Sequence, residues 1–324
     1  MDSQNPRYRL SYLLGPLLLA LLILAASQPA SAEPFVILSQ NMNRLFDDID
    51  NGNREKVLSK TEFRRRVSQA ARKFAEDYSM PHVIALQEVE NLNVLQQIAA
   101  EIRQHHEIDY QPVLLPGQDP SGINLGFMLQ SGVVIRKRQQ LFREPRLPFD
   151  GSHLFSRPPL HLEACYLARC LSLLNLHLRS MRDIDSADKG ERVARKRLRQ
   201  AETVAAWINR YQQIEADTGL LVLGDFNALT PADQHVDVAG IIRGSPDNTR
   251  ARLMSRDLVN PDLIDLTRQI PQRRRYSYIF RQTRQQLDYM FASQVLADRL
   301  EGISFGPLDY SFSDHAGLLA RYRW

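Results

Sequence analysis

The chain of 324 residues has few of the side chains that bind zinc through sulfur, since its only cysteines are Cys165 and Cys170. A structural zinc site needs several Cys or closely spaced His ligands, and none stand nearby, so zinc binding is not expected. In an oxidising compartment the two cysteines could instead form a disulfide across a hairpin tip. No period of 20–50 residues repeats, and no low-complexity block is long enough to indicate disorder. With 44% hydrophobic and 24% charged residues, the remaining class is an ordinary globular protein.

A long apolar run occurs only near the start of the chain. Two arginines precede a Leu-rich run over residues 13–26, and Ala-Ser-Ala at 30–32 offers a small-x-small cleavage site. This run falls short of the roughly 20 residues that cross a bilayer. We therefore predict a signal peptide over 1–32, a single domain over 33–324, and a secreted or periplasmic protein after cleavage near Ala32. An uncleaved anchor helix is the alternative.

Charge is mildly positive, with a formal net charge of +4 that fits a polyanionic partner without requiring one. Five basic residues between 192 and 199 lie on a predicted helix, where a solvated face and phosphate contact are both open. Five arginines between 273 and 284 are interleaved with Tyr276, Tyr278 and Phe280. That mixture of charge and aromatic rings could follow a nucleic-acid backbone.

Strand-like and helical patterns alternate along the chain. Amphipathic stretches at 61–78, 93–105 and 191–211 predict helices, with Asn91 as the N-cap of the second. Apolar runs predict strands at 35–39, 83–86, 125–129, 133–136, 160–166, 171–178, 220–223, 277–280, 287–292 and 317–322. Short turns such as Ser131-Gly132 imply that some strands pair antiparallel. The pattern predicts an α/β fold of two packed mixed sheets with helices outside.

Polar side chains stand at the ends of several predicted strands. Asp225 and Asn227 follow an apolar run and, two positions apart, point the same way if the strand geometry continues. The full set comprises Asn41, Asn43, Glu88, His177, Asp225, Asn227, Asp288, Asp314 and His315. Two histidines with several carboxylates suit metal-assisted hydrolysis. Oxygen ligands such as Glu88 and Asp314 suit magnesium, manganese or calcium better than zinc.

Six segments, in chain order, resemble the motifs of the endonuclease/exonuclease/phosphatase superfamily, which includes pancreatic deoxyribonuclease, abasic-site endonucleases, neutral sphingomyelinases and inositol polyphosphate 5-phosphatases. The segments are Gln40–Asn43, Ile84–Asn91, Asn175–Ser180, Gly224–Asn227, Leu287–Tyr289 and Ser313–His315. The resemblance covers nearly the whole chain after residue 32. It implies the deoxyribonuclease-like fold, a four-layer sandwich of two mixed β-sheets flanked by helices. The extended second motif is similar to that of secreted bacterial nucleases.

The resemblance implies roles at the centre of the site. Glu88 would bind the divalent metal, Mg²⁺ or alternatively Mn²⁺ or Ca²⁺, with Asn41 and Asp314 close to it. His315 would act as general base on the attacking water, and Asp288 would orient its ring.

Roles around the phosphate follow from the same resemblance. His177 would bind a phosphate oxygen or protonate the leaving group. Asp225 and Asn227 would position the nucleophile and stabilise the transition state. The expected phosphate- or substrate-binding residues are Arg157, Arg179 and Asn43.

Two positions depart from the family pattern. Some branches carry Asp where this chain has Asn43. An acidic residue often stands near the position of Asn124 and pairs with the first histidine. An amide there would support the cation of His177 less well.

The leading hypothesis is a secreted, metal-dependent nuclease that hydrolyses DNA, and RNA as a further substrate, through water activated by the His315–Asp288 pair. It is expected to act as a monomer without a stable membrane partner. A sphingomyelinase-like or other lipid or small-molecule phosphodiesterase is the alternative, but it needs an exposed apolar hairpin. The only tryptophans, Trp207 and Trp324, form no such loop. An inactive nucleic-acid-binding relative is the second alternative.

Overall fold

The computed structural model describes Asp2 and residues 34–52, 55–167, 169–229, 232–246 and 250–324. Residues 34–324 form one compact unit. The predicted signal peptide lies outside the described residues, apart from Asp2, and stays a prediction. None of the described helices is at once long and apolar enough to cross a membrane.

Strands and helices alternate through the described chain. The strands are β1 (Phe35–Leu45), β2 (Val83–Val89), β3 (Tyr110–Leu114), β4 (Asn124–Gln130), β5 (Val134–Gln140), β6 (Leu160–Tyr166), β7 (Arg169–His177), β8 (Gly219–Asp225), β9 (Ile264–Asp265), β10 (Tyr278–Phe280), β11 (Thr283–Gln285), β12 (Asp288–Ala292), β13 (Leu300–Phe305) and β14 (Leu318–Tyr322). The α-helices are α1 (Lys60–Glu76), α2 (Leu92–His106), α3 (Gly190–Ile214), α4 (Val238–Arg243) and α5 (Gln294–Ala297). Short 3₁₀ helices cover Leu266–Gln269 and Gln272–Arg274.

Two six-stranded mixed sheets form the centre of the fold. The first has the strand order β13-β14-β1-β2-β4-β3 and the second the order β5-β6-β7-β8-β12-β9. Only the pairs β1–β2 and β7–β8 are parallel among the described pairs. Phe35 and Phe127 from the first sheet and Leu173 and Met290 from the second belong to one buried cluster between the sheets.

Helices cover the outer face of each sheet. Phe74 of α1 and Ile98 of α2 pack in one core cluster with Leu38 of the first sheet. Val204 of α3 and Val222 of the second sheet share another cluster. The predicted four-layer α/β sandwich is therefore confirmed. The three amphipathic stretches form α1 to α3, and the predicted N-cap of α2 accepts a 3.1 Å hydrogen bond from the next turn of the helix.

A buried polar contact joins the two sheets behind the strand ends that carry the predicted site. The side chain of Gln87 on β2 donates to Asn175 Oδ1 on β7 at 2.8 Å. Asn175 in turn donates to the carbonyls of Leu86 and Gly126 at 3.0 and 3.1 Å. Buried amides need such partners, so this contact favours one alignment of the two sheets.

The two cysteines occupy paired positions on neighbouring strands. Cys165 of β6 lies opposite Cys170 of β7, and the two form a disulfide with Cα atoms 3.9 Å apart. The hairpin expected from their spacing is present, although Ala168 at its tip lies outside the described residues.

Gly224 sets the distance between β7 and β8 immediately before Asp225. Its φ is +130°, and a Cβ there would lie 2.1 Å from the carbonyl oxygen of Leu176. We expect Gly224→Ala to lower the free energy of unfolding by about 2 kcal/mol or more, because backbone rather than a flexible side chain must move. Urea unfolding measures the change. Gly302→Ala is the control, since a Cβ there meets nothing within 4 Å, and equal stability losses in both variants would contradict the steric argument.

Candidate active site

The predicted site residues gather at an open cleft with a volume of about 1170 Å³. Those that line it are Glu88, Arg157, His177, Arg179, Asp225, Asn227, Asp314 and His315. Asn41 and Asp288 lie directly behind this wall, each only 1% exposed. The polar strand ends picked out in the sequence therefore meet in space.

Sheet register places three of these side chains in a row. His177, the last residue of β7, pairs with Asp225, the last residue of β8. Asp225 pairs on its other side with Asp288, the first residue of β12. Neighbouring strands are about 4.8 Å apart, so the row follows from the hydrogen-bonding ladder itself. His177 Nε2 lies 3.5 Å from Asp225 Oδ2.

Glu88 reaches this row through an irregularity in β2. The pairing shifts between Gln87 and Val89, and Glu88 has φ +59°. A β-bulge of this kind re-aims a side chain, here toward the second sheet. Glu88 Oε1 lies 3.8 Å from His177 Nε2, and the amide of Asn41 donates to it at 3.3 Å.

The end of β1 supports Glu88 with its backbone. Asn43 and Arg44 both adopt left-handed conformations, with φ +47° and +53°. The Arg44 backbone N–H donates to Glu88 Oε2 at 2.9 Å. Arg66, on α1, donates to the carbonyls of Met42, Asn43 and Arg44 at 2.6, 3.1 and 3.1 Å. The guanidinium thus fixes the backbone that holds the Glu88 carboxylate.

His315 is held by one carboxylate and faces another. Its Nδ1 lies 2.7 Å from Asp288 Oδ2, and its Nε2 lies 3.9 Å from Asp225 Oδ2. Burial favours the neutral ring, but the charges of Asp288 and Asp225 outweigh it and raise the pKa of His315 to about 10. Burial, followed by the charges of Asp288 and Glu88, raises the pKa of Asp225 to about 7, although His315 opposes the shift. Around His315 and Asp225, the cleft therefore holds more carboxylates than cationic side chains.

His177 has a different environment. Burial, with the positive charges of Arg157 and His315 adding to it, lowers its pKa well below the usual value. Its Nδ1 is buried without a hydrogen-bond partner among the described residues. The amide of Asn124 does not serve it, because that side chain donates to the carbonyl of Glu90 and accepts from the Gly117 N–H.

Of the three predicted phosphate-binding residues, two line the cleft and one does not. Arg157 reaches the cleft but is held by Asp119 and by the carbonyls of His177 and Leu178. Arg179 lines the cleft and donates to Ser180 Oγ and the carbonyl of Arg182. Asn43 does not line the cleft, whereas its neighbour Arg44 does. Its backbone N–H donates to the side chain of Asn41, and its carbonyl accepts from Arg66.

Comparison with known proteins decides the family. The model of the Endonuclease/Exonuclease/phosphatase family matches residues 38–315. The chain belongs to this family. A comparison with curated protein sequences found no match.

Solved structures share the fold of this family member. TDP2 from C. elegans is 14% identical with a TM-score of 0.57, covering 96% of this chain and 82% of its own. A family protein from Leptotrichia buccalis, also 14% identical with a TM-score of 0.57, covers 90% and 100%. D. rerio TDP2 complexed with single strand DNA product is 17% identical with a TM-score of 0.56, covering 89% and 98%. At these identities the likeness shows the fold alone.

As a member of this family the chain is a metal-dependent phosphodiesterase, and its cleft fits a divalent ion. Ligand atoms of Glu88, His177 and Asp225 all lie within 4.8 Å of one another. Two carboxylates with an imidazole form a donor set for divalent cations. Burial, followed by the charges of Asp288 and Glu88, raises the pKa of Asp225, and a cation bound here would favour its ionised form. Asp314 lines the same cleft but is not part of this cluster.

Arg66 is the functional candidate that the sequence did not reveal. We expect Arg66→Gln to weaken Mn²⁺ binding about tenfold, because groups that orient metal ligands affect affinity on this scale. Isothermal titration calorimetry measures the dissociation constant directly, without turnover. Arg65→Gln is the matched control, since Arg65 lies exposed on the same helix and donates to the side chain of Gln69 rather than to the backbone near Glu88. An unchanged Mn²⁺ affinity in Arg66→Gln would contradict the positioning role.

Proposed function

We propose that this family member is a secreted nuclease that hydrolyses DNA, and RNA as a further substrate, with Mg²⁺ as the working metal and Mn²⁺ or Ca²⁺ as alternatives. The observation that carries the proposal is the ordered pair of His315 and Asp288 beside the cluster of Glu88, His177 and Asp225. A base with an orienting carboxylate, next to a group of metal-ligand atoms, is the arrangement for hydrolysis of a phosphodiester by water.

Each residue has a part that its contacts support. Asp288 accepts from His315 Nδ1–H, and a divalent ion in the cluster would oppose the carboxylates that raise the pKa of His315 to about 10, which would free Nε2 to take the proton of the attacking water. Asn227 donates its backbone N–H to Asp225 Oδ1 at 2.9 Å, which orients that carboxylate toward the reacting phosphate. His177 Nε2 lies between Glu88 and Asp225, and from there it would donate to a phosphate oxygen, with the ion held by oxygen ligands rather than by this imidazole. A divalent ion held mainly by Glu88, with Asn41 and Asp314 nearby, would polarise the phosphate and neutralise its charge.

The charge of the cleft rim supports a polyanionic substrate. The basic residues that line it are Arg44, Arg157, Arg179, Arg182 and Lys196. Such residues neutralise successive phosphates of a nucleic-acid backbone. The structure of D. rerio TDP2 with a single strand DNA product gives further support to DNA as the substrate class.

Export is part of the proposal and rests on the N-terminal sequence. The apolar run over 13–26 and the small residues at 30–32 indicate cleavage near Ala32 and release to the periplasm or beyond. The disulfide between Cys165 and Cys170 supports an oxidising destination, because cytosolic disulfides are rare.

The test is nicking of supercoiled plasmid by the purified protein in Mg²⁺, Mn²⁺ or Ca²⁺, compared with EDTA. Nicking that requires metal, together with a metal-dependent rise in melting temperature, is the expected result. Folded protein that cleaves no DNA or RNA in any metal would overturn the proposal. Turnover of sphingomyelin vesicles by the same preparation would then favour the lipid phosphodiesterase alternative.

DNA binding should weaken steeply with salt. With five basic residues at the rim, we expect affinity for an oligonucleotide to fall about 10²-fold or more between 50 and 200 mM salt. Fluorescence anisotropy with the His315→Ala variant measures binding without cleavage. An affinity that stays constant over this range would contradict a phosphate-tracking cleft.

A further inference from the structure

A tight β-ribbon forms one wall of the cleft. Strands β10 and β11 pair antiparallel and belong to neither six-stranded sheet. Arg281 and Gln282 at the tip have φ +44° and +69°. Two consecutive residues with positive φ form the short turn that matches the twist of paired strands. The ribbon is therefore pre-formed rather than a loose loop.

Hydrogen bonds hold the base of the ribbon beside both residues of the catalytic pair, Asp288 and His315. Ser277 Oγ accepts from the backbone N–H groups of Leu287 and Asp288 at 3.0 and 3.2 Å. The Ser277 carbonyl accepts from the N–H of Ala316, the residue after His315, at 2.8 Å. These bonds fix the direction in which the ribbon leaves the reacting centre.

Aromatic rings line the ribbon outward from His315. The Tyr278 ring lies 5.1 Å from the His315 ring, centroid to centroid. Phe280 is two residues further along the strand, so both rings stand on one face, and both line the cleft. Phe280 is 48% exposed, and the guanidinium of Arg281 lies 5.2 Å from its ring centroid. The ribbon thus presents an accessible ring and a cation together.

The spacing of the rings selects among nucleic acids. Residues two apart in a strand are separated by about 7 Å. Bases stacked in a regular duplex follow one another at about 3.4 Å along each strand. Two bases that rest on Tyr278 and Phe280 cannot also be stacked on each other, so they must be unpaired and splayed apart. A regular duplex offers no base face to either ring.

We propose that the β10–β11 ribbon binds single-stranded nucleic acid by stacking a base on Phe280, and that it directs cleavage to unpaired strands in preference to duplex. This inference rests on the proposed nuclease function and deepens it. Arg281 beside the ring supplies charge to the adjoining phosphate, which makes the contact tolerant of sequence.

The experiment compares kcat/KM on a labelled single-stranded oligonucleotide, the same sequence as a duplex, and the same strand with abasic central nucleotides. Wild type should cleave the single strand at least tenfold better than the duplex. Phe280→Ala should lower kcat/KM on the single strand about 5- to 150-fold, the range of one base–aromatic stack, whereas Phe280→Trp should retain it. The effects of Phe280→Ala and of the abasic nucleotides on kcat/KM should not be additive, because both changes remove the same stacking contact.

Phe149→Ala is the matched control, since Phe149 is 42% exposed and does not line the cleft. Equal cleavage of duplex and single strand, or an equal effect of Phe280→Ala on all three substrates, would overturn the inference while leaving the nuclease assignment intact. If wild type cleaves nothing, the proposed function fails, and anisotropy with the uncleaved single strand still tests the ribbon. If Phe280→Ala instead loses binding to anionic vesicles while its DNA kinetics stay unchanged, the ribbon contacts lipid and the inference is overturned.

Discussion

His315→Ala is expected to lower kcat for plasmid nicking by about 10²- to 10⁴-fold, the usual contribution of a positioned general base. The expectation follows from the 2.7 Å contact between His315 Nδ1 and Asp288, which aims Nε2 at the cleft. Asp288→Asn should also lower kcat, because an amide no longer favours the same proton position on the ring. Metal binding should persist in both variants, since neither residue belongs to the cluster of Glu88, His177 and Asp225. Kinetics and a metal-induced thermal shift separate the two properties.

His105→Ala is the matched control for this measurement. His105 is exposed on α2, where it faces Glu101 one turn earlier. Its substitution should leave nicking within about twofold of wild type, as surface changes do. Nicking by His315→Ala at the wild-type rate, with His105→Ala behaving the same way, would remove His315 from the mechanism.

Arg197→Met should lower the free energy of unfolding by about 3–5 kcal/mol, the range for breaking a buried ion pair. The side chains of Arg197 and Asp233 are each 1% exposed, and their charged atoms are 2.7 Å apart. Arg197 also donates to the carbonyls of Arg179 and Asn227 at 2.8 and 2.7 Å. Its removal leaves a buried carboxylate and two carbonyls without this donor, in the loops that form the cleft.

Arg199→Met provides the comparison on the same helix. The Arg199 side chain is 66% exposed and pairs with Glu202 at 3.2 Å, so its loss should change stability by less than about 1 kcal/mol. Urea unfolding of both variants gives the difference directly. Similar stabilities for Arg197→Met and Arg199→Met would show that the buried pair contributes little beyond a surface one.

The basic residues between 192 and 199 illustrate how far sequence reasoning reaches. The helical period predicted α3, yet a cluster of like charges does not reveal that Arg197 turns inward. That orientation depends on Asp233 and on the carbonyl of Asn227, which lie 36 and 30 residues away in the chain. Charge alone suggested a solvated face or phosphate contact. Tertiary packing assigns Lys196 to the cleft and Arg197 to the interior.

Some strands could be predicted from the local sequence, whereas others could not. Central strands were predictable because burial on both faces produces continuous apolar runs, as in β8. Strand β3, which contains Pro112, and the partly exposed strand β13 were not predicted. Both lie at edges of the first sheet, where a missing donor or a polar side chain is tolerated. Their pairing depends on neighbours rather than on their own composition.

Most of the side chains that meet at the cleft could be picked out from the sequence, but Arg66 and the geometry of the group could not. Strand ends identified Glu88, His177 and Asp225 as candidates. Their grouping into one set of ligand atoms depends on the bulge at Glu88 and on the register of β7 with β8. Arg66 carried no local signal, because it acts on carbonyls more than 20 residues earlier in the chain.

Because Ser277 is hydrogen-bonded to the start of β12, the ribbon is a segment that can be exchanged for another. The catalytic side chains stand at strand ends whose positions follow from the two six-stranded sheets. The ribbon, residues 278–285, belongs to neither of these sheets. A different ribbon joined at the same two ends would meet the same His315 and Asp288. Exchange of this one insert should therefore be a route by which a single scaffold acquires new substrates, while its hydrolytic centre remains as it is.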